Sequence, residues 1–194
     1  MGRIRYGLKN IHVATYTEDD ATGKLTYGEV KELKGAKNMS FSAAGDSSDE
    51  YADDGQWAHF DNNNGYTGSI EFEDTASLDD FMTDIYGYTK ADNGLVVESS
   101  NDIAKGFALM GQFTLAGGKE VGKRVCFYRC VATRPDVAGQ TKESGITVNT
   151  NTLNITAMPR VNDGAIKATA VSTDAIYDKF FDAVPEANTS TTGA

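Results

Sequence analysis

Apolar and polar residues alternate one by one along this chain in short runs, and Gly, Asn and Asp separate the runs. A period of two sends successive side chains to opposite faces of an extended strand, so the pattern directs the chain to a mainly β, antiparallel fold. Ile11, Val13 and Thr15 alternate with His12, Ala14 and Tyr16, and Met39, Phe41 and Ala43 alternate with Ser40 and Ser42. Tyr66, Ile70 and Phe72 share one face of a strand whose other face carries Thr67, Ser69, Glu71 and Glu73. Residues 56–60 read as its partner, with Asp61-Asn62-Asn63-Asn64-Gly65 as the hairpin turn, because those residue types tolerate positive φ. A second hairpin joins residues 107–115 to 121–133 through Ala116-Gly117-Gly118-Lys119, with Val125, Phe127 and Val131 on one face. Arg134-Pro135 ends it, since proline cannot continue a central strand. Residues 146–158 form a long polar strand that changes phase, with Ile146 and Val148 at even positions and Leu153, Ile155 and Ala157 at odd ones. A bulge at residues 150–152 reconciles the two halves. Ile166, Ala168 and Ala170 mark a further strand.

Two short helices interrupt the alternation. Ser77-Leu78-Asp79-Asp80 reads as a capping box with acids in the first turn, where the helix dipole favours them. Leu78, Phe81, Met82 and Ile85 then fall on one apolar stripe that Gly87 terminates. The second helix starts near Thr173-Asp174, carries Ile176, Tyr177, Phe180, Phe181 and Val184, and stops at Pro185. Residues 188–194 read as a polar tail, so residues 1–187 form one domain.

Charge narrows the function classes. The chain has 18 Lys and Arg against 28 Asp and Glu, a net charge of −10, and a pI near 4.6. Tight nucleic-acid binding draws on cation excess to release counterions, so it is disfavoured. No apolar run approaches the ~18 residues of a membrane span, so membrane insertion is not expected. The N-terminus lacks the apolar core of a secretory signal, so Sec-type export is not expected either. Hydrophobic residues make up 40% of the chain, enough to fold. The only cysteines, Cys126 and Cys130, share one face of a regular strand at a separation of about 13 Å, too far to bridge. The only histidines, His12 and His59, have no ligand partner at metal spacing.

The acids Asp46, Asp49, Glu50, Asp53 and Asp54, with Tyr51 among them, crowd residues 45–55. The segment holds no His, Lys or Arg, and a loop is poor ground for raising a carboxyl pKa, so a solvated interaction loop outweighs a catalytic or metal site. Neither a calcium loop at Asp61, nor a nucleophile elbow, nor a phosphate-binding loop is present. The expectation is a protein that is not an enzyme and needs no cofactor.

The order of short motifs carries more. Tyr6-Gly7-Leu8-Lys9-Asn10 opens the chain, followed by Tyr51-Ala52-Asp53-Asp54 and Asn64-Gly65-Tyr66-Thr67-Gly68. Later come Asp80-Phe81 with Asp84-Ile85-Tyr86-Gly87, Ala132-Thr133-Arg134-Pro135 and Thr141-Lys142-Glu143. Leu153-Asn154-Ile155-Thr156-Ala157, Asp163-Gly164, Tyr177-Asp178 and Phe180-Phe181-Asp182 complete the series. In order and spacing this resembles the major tail proteins of bacteriophages with long non-contractile tails. The resemblance implies a tail tube subunit with an antiparallel β-sandwich or split-barrel fold that joins a ring β-barrel on oligomerisation. It implies hexameric rings stacked around a tape-measure protein between a tail terminator and baseplate or distal tail proteins. It places the protein in the virion tail, assembled in the host bacterial cytoplasm, as an acidic-lined conduit for double-stranded DNA during ejection. No immunoglobulin-like decoration domain is expected after the tube domain.

On that reading residues 45–55 are in place for an inter-ring loop. An N-terminal arm of residues 1–9, basic at Arg3, Arg5 and Lys9, is in place to meet it on a neighbouring subunit. Four strands from each of six subunits close a barrel roughly 48 Å across, wide enough after side chains for duplex DNA. The Asn, Thr and Ser residues alternating over 147–156 suit a watery bore. The competing readings are a head–tail joining or other single-ring β-sandwich interaction protein, and an enzyme using the acidic loop to hold a metal.

Overall fold

A computed structural model of the 194-residue chain describes residues 4–73, 75–116, 121–137 and 150–187. In chain order the elements are β1 (Arg5–Glu18), β2 (Leu25–Tyr27), β3 (Lys31–Glu32), β4 (Ala36–Ala44), β5 (Ser47–Ala52), β6 (Gly55–Asp61) and β7 (Gly65–Phe72). The helix α1 (Thr75–Tyr86) follows, then β8 (Thr89–Lys90), β9 (Val96–Val97), β10 (Phe107–Leu115), β11 (Val121–Ala132), β12 (Asn151–Met158) and β13 (Lys167–Val171). The main sheet runs β2-β1-β10-β11-β12-β7-β4, with β3 added on β1 and β13 on β11, and every pairing is antiparallel.

The sheet forks along β11. Lys123 to Phe127 pair with β13, whereas Arg129 to Ala132 pair with β12. The β12-β7-β4 leaf therefore leaves the plane of β1-β10-β11-β13, as in a sandwich, and no pairing joins β4 to β1 among the described residues. The two leaves and α1 enclose the larger core, which includes Ile11, Ile70, Phe72, Phe81, Ile85, Phe107, Leu109, Phe127 and Leu153. A second cluster lies on the other side of β1, β10 and β11, where Ala14, Met110, Cys126 and Tyr128 meet Phe180 and Val184. β10 is buried on both faces because it separates the two clusters.

Three expectations are corrected here. The first is the pairing of residues 56–60. They form β6, which pairs with β5, while β7 pairs with β4 and β12. Residues 61–65 are thus a kink between strands and not a hairpin turn. The second is the cysteine pair. A bulge sets two residues, Tyr128 and Arg129, against Ala108 alone, since Phe107 faces Cys130 and Leu109 faces Phe127. The extra residue reverses the side-chain phase. Cys126 consequently enters the second cluster and Cys130 the larger one, while Val131 turns outward and is 39% exposed. Both cysteines are free and buried.

The third correction concerns the second helix. Residues 172–183 form a string of turns in which the N–H of Tyr177, Lys179, Phe180 and Asp182 each donates to the carbonyl three residues back. Packing dictates this path. Phe180 and Val184 are drawn into the cluster while the Tyr177 and Phe181 rings stack on the Arg124 guanidinium, at 3.9 and 4.5 Å. A straight 3.6-residue stripe does not reach both places. The first helix is present but starts at Thr75, so Asp79 and Asp80 lie in its second turn and not its first. Phe81, Met82, Ile85 and Tyr86 are buried as the stripe requires, and Gly87 ends the helix in the left-handed region, with φ of 75°. The turn at residues 117–120, the start of the polar strand before Thr150, Thr141 to Glu143 and the 188–194 tail lie outside the described residues.

Candidate interaction surfaces

The N-terminal motif has a structural explanation. Gly7 and Asn10 take φ of 71° and 55°, and the β1–β10 register slips beside each of them. Tyr6-Gly7-Leu8-Lys9-Asn10 is therefore a twice-bulged strand, with Gly and Asn at the two positions that demand left-handed backbone. Asn10 is fixed there by its amide, which donates to Gln112 Oε1 at 3.1 Å, and Arg124 Nε donates to the same oxygen at 3.1 Å. Arg5 and Lys9 consequently sit on β1, opposite Leu115 and Gln112, so the arm as read from the sequence is sheet from Arg5 onward. Arg5 is exposed, with its guanidinium 5.5 Å from the Phe113 ring centre. Arg3 lies outside the described residues.

Asp46, Asp49, Glu50, Tyr51, Asp53 and Asp54 come together on one projecting element. The Asn62 N–H donates to the Asp46 carbonyl at 3.0 Å and the Asn64 N–H to the Ala44 carbonyl at 2.9 Å. These bonds carry the β4–β7 ladder into the β5–β6 ladder, so the four strands make one kinked two-stranded ribbon. β5 and β6 extend its outer part by about 20 Å. Ala52 faces Gly55, which leaves Asp53 and Asp54 as a two-residue loop with φ of 51° and 62°. Positive φ at both central residues is the requirement of a type I′ hairpin turn, and Asp accepts it better than most residues.

This hairpin touches little of its own chain. Every residue of β5 and β6 is exposed except Ala58, which is half-buried. Tyr51, Trp57 and Phe60 are 70%, 74% and 60% exposed, and Trp57 is the only tryptophan of the chain. Three large aromatics on a free two-stranded ribbon are far from the arrangement that a monomer needs, since such a ribbon is marginal alone in water.

His59 gives the hairpin its internal polar tie. It stands directly across the ladder from Asp49, with Nδ1 2.5 Å from Asp49 Oδ1 and Nε2 3.3 Å from Asp61 Oδ1. Gln56 Nε2 donates to the same Asp49 oxygen at 2.7 Å. The Asp49 hydrogen bond, then the Asp61 charge, raise the His59 pKa above its usual value. A raised histidine pKa stabilises the hairpin fully below the unfolded-state value of about 6.5, and that contribution is lost as pH rises through the folded-state value. Titration followed by NMR is expected to place the His59 midpoint above the ordinary histidine value of about 6.5, and Asp49→Asn to lower it; equal midpoints in the variant and wild type would refute the pairing.

The kink depends on a glycine. A Cβ at Gly45 would stand 1.8 Å from the Asn62 carbonyl oxygen. Gly45→Val is therefore expected to unseat the hairpin while leaving the core intact. Chymotrypsin should then cut at Tyr51, Trp57 or Phe60 about tenfold faster, with the thermal midpoint of the body unchanged.

A second surface is the outward face of the β4-β7-β12 leaf. Its side chains fall in three rows across the strands: Asn38, Glu71 and Thr152; Ser40, Ser69 and Asn154; and Ser42, Thr67 and Thr156. Eight of these nine are uncharged hydroxyls or amides, the exception being Glu71, and none is basic. Leu153, Ile155, Ile70 and Phe72 occupy the opposite, buried face. β4 forms the free edge of this leaf, its outer backbone groups unpaired with any described strand.

Among the described residues, no group of three His, Cys, Asp or Glu side chains is placed to hold a metal ion. No described helix is long and apolar enough to cross a membrane. The chain matches no protein-family model and no curated protein.

Sequence reading found the acids of the hairpin but missed Trp57, His59 and Phe60 as parts of it. The signal was present in Asp53-Asp54-Gly55. Read as a two-residue turn, it pairs residues 47–52 with 55–61 and makes the alternation of 56–60 that of an arm, not of a core strand.

Proposed function

We propose that this protein is the structural subunit of a phage-type tail tube: a non-catalytic protein whose rings, hexameric by the resemblance, stack around a tape-measure protein and conduct double-stranded DNA. The observation that carries the reading is the β5–β6 hairpin, a projecting ribbon with Trp57, Tyr51 and Phe60 in water. Such an arm gains its stability by docking on another subunit. The polar leaf supports the same role. An uncharged hydroxyl and amide surface without Lys or Arg lets a polyanion slide, because it brings no cations to displace the polyanion's counterions, and Glu71 adds repulsion. The free β4 edge supplies the strand through which neighbouring leaves close into a barrel. Tape measure, terminator and distal tail proteins are the partners on this reading, and the virion tail is its location.

Negative-stain electron microscopy of the purified protein, dilute, concentrated, and mixed with tape-measure and distal tail components, tests the proposal. Tubes with a regular axial repeat and a stain-filled bore are the expected result. Rings that never stack would transfer the reading to a single-ring joining protein, and monomers under all three conditions would overturn it.

A further inference from the structure

A cleft of about 580 Å³ opens between the start of β1, the free edge strand β4, and β11 with β13. Arg5, Lys37, Lys123 and Lys167 line it, no carboxylate does, and Tyr6, Phe41, Tyr66, Phe113 and Phe127 supply aromatic walls. In a chain of net charge −10 this concentration of cations is anomalous. Lys37 is bridged to Glu73 at 3.0 Å, and Lys167 donates to the Tyr66 hydroxyl at 2.7 Å while sitting over that ring. Arg5 and Lys123 face no carboxylate among the described residues. The cleft thus presents positive charge on an apolar, aromatic floor.

The hairpin has the opposite make-up. Between Gly45 and Asn64 the chain carries Asp46, Asp49, Glu50, Asp53, Asp54 and Asp61 and neither Lys nor Arg. Among their side chains only Asp49, held by His59 and Gln56, and Asp61, held by His59, are engaged, so Asp53 and Asp54 at the tip keep their charges free among the described residues. The hairpin leaves the sheet at the Ala44 and Gly65 ends of β4 and β7, while the cleft draws on Lys37 to Phe41 of β4 and on Tyr66 of β7. Among the described residues no ion pair joins the hairpin to a cleft residue, and the hairpin's ion pairs are the internal ones of His59.

We infer that the cleft is the receptor for the β5–β6 hairpin of a second copy of this chain, with Asp53 and Asp54 meeting Lys123 and Lys167 and the exposed aromatics packing on the cleft walls. Because donor and receptor are different surfaces, the contact is head-to-tail and propagates, as an open stack requires. The inference rests on the tube reading and specifies the contact within it. It extends the basic partner from the Arg3, Arg5 and Lys9 arm to a built site of which Arg5 is one member.

Charge reversal in the full chain tests it. Lys123→Glu with Lys167→Glu, and Asp53→Lys with Asp54→Lys, are made as separate proteins and checked for an unchanged thermal midpoint. Under conditions where the wild type forms tubes, each is expected to raise the assembly concentration at least about tenfold, and an equimolar mixture to recover it, because each restores the other's complement. An Asp53→Cys, Lys123→Cys double variant should form covalent ladders, since the two native cysteines are buried. Tubes that tolerate both reversals, with no ladder, would overturn the docking contact and leave the tube reading standing. Loss of DNA-duplex retention in the Lys123→Glu, Lys167→Glu protein with assembly intact would overturn it in favour of a polyanion site. A wild type that never associates overturns both.

Discussion

Phe180→Ala is expected to lower stability by about 3–5 kcal/mol and to make one of the two cysteines reactive. The Phe180 ring is fully buried in the cluster behind β1, β10 and β11, and the segment that carries it has no helix of its own to fall back on. Its hold on the sheet comes from that ring and Val184, from Tyr177 and Phe181 on Arg124, from Phe181 stacked on His12 at 4.4 Å, and from polar ties that include the Arg124 guanidinium donating to the Tyr177 carbonyl. The Tyr128 hydroxyl donates to the Pro185 carbonyl at 2.8 Å, and Arg160 bridges Glu186 at 2.7 Å and Asp163 at 2.5 Å. The loss is a large part of the ~5–15 kcal/mol that a domain of this size has, and it should lower the thermal midpoint by roughly 10 °C.

The thiols report whether the opening is local. Burial holds the Cys126 thiol well above its ordinary pKa, so it is inert in the wild type. Cys126 shares the cluster with Phe180, whereas Cys130 points into the other core. A thiol reagent under native conditions should therefore label Cys126 alone in Phe180→Ala, and Cys126→Ser should remove the signal. Equal labelling of both cysteines would mean global unfolding, and neither labelled with an unchanged midpoint would mean that the segment is not part of the core.

The sequence legibly carried the strands whose two faces differ. In β7 and β12, Ile70, Phe72, Leu153 and Ile155 alternate with Ser69, Glu71, Thr152 and Asn154, and period two alone assigns their faces. It failed where one residue changes the phase. Nothing in Val125 to Val131 marks the bulge at Tyr128 and Arg129, because that bulge answers to Ala108 on a different strand. The C-terminal segment misled for a related reason. Ile176, Tyr177, Phe180 and Val184 have helical spacing, yet Ile176 is 45% exposed and the backbone follows the contacts of Arg124 instead. Tertiary packing outweighed local periodicity there.

The candidate surfaces were legible in composition and not in shape. Acid density singled out residues 45–55, but a loop and a hairpin have the same composition, and the difference was decided by the positive φ of Asp53 and Asp54. The basic cleft was invisible, since Arg5, Lys37, Lys123 and Lys167 lie on four strands that only the forked sheet brings together. Charge that is local in sequence can be read; charge gathered by topology cannot.

Trp57→Ala with Phe60→Ala is expected to abolish assembly and leave the subunit's stability unchanged within about 0.5 kcal/mol. Both side chains are mostly in water, so truncating them removes no core contact, and surface changes of this kind stay within that margin. On the proposed docking the same rings become buried, and each is then worth about 1.5–3 kcal/mol when fully removed from water. Losing both weakens every docking contact by at least about a hundredfold, and a ring repeats the contact in each of its subunits. The intrinsic fluorophore supplies the readout. Since Trp57 is the only tryptophan, wild-type emission should shift to the blue as concentration drives association, and Phe60→Ala alone should need a higher concentration for the same shift. An emission maximum that stays at the water-exposed position in fully formed tubes would show that the hairpin docks on nothing, and the role assigned to it would fall.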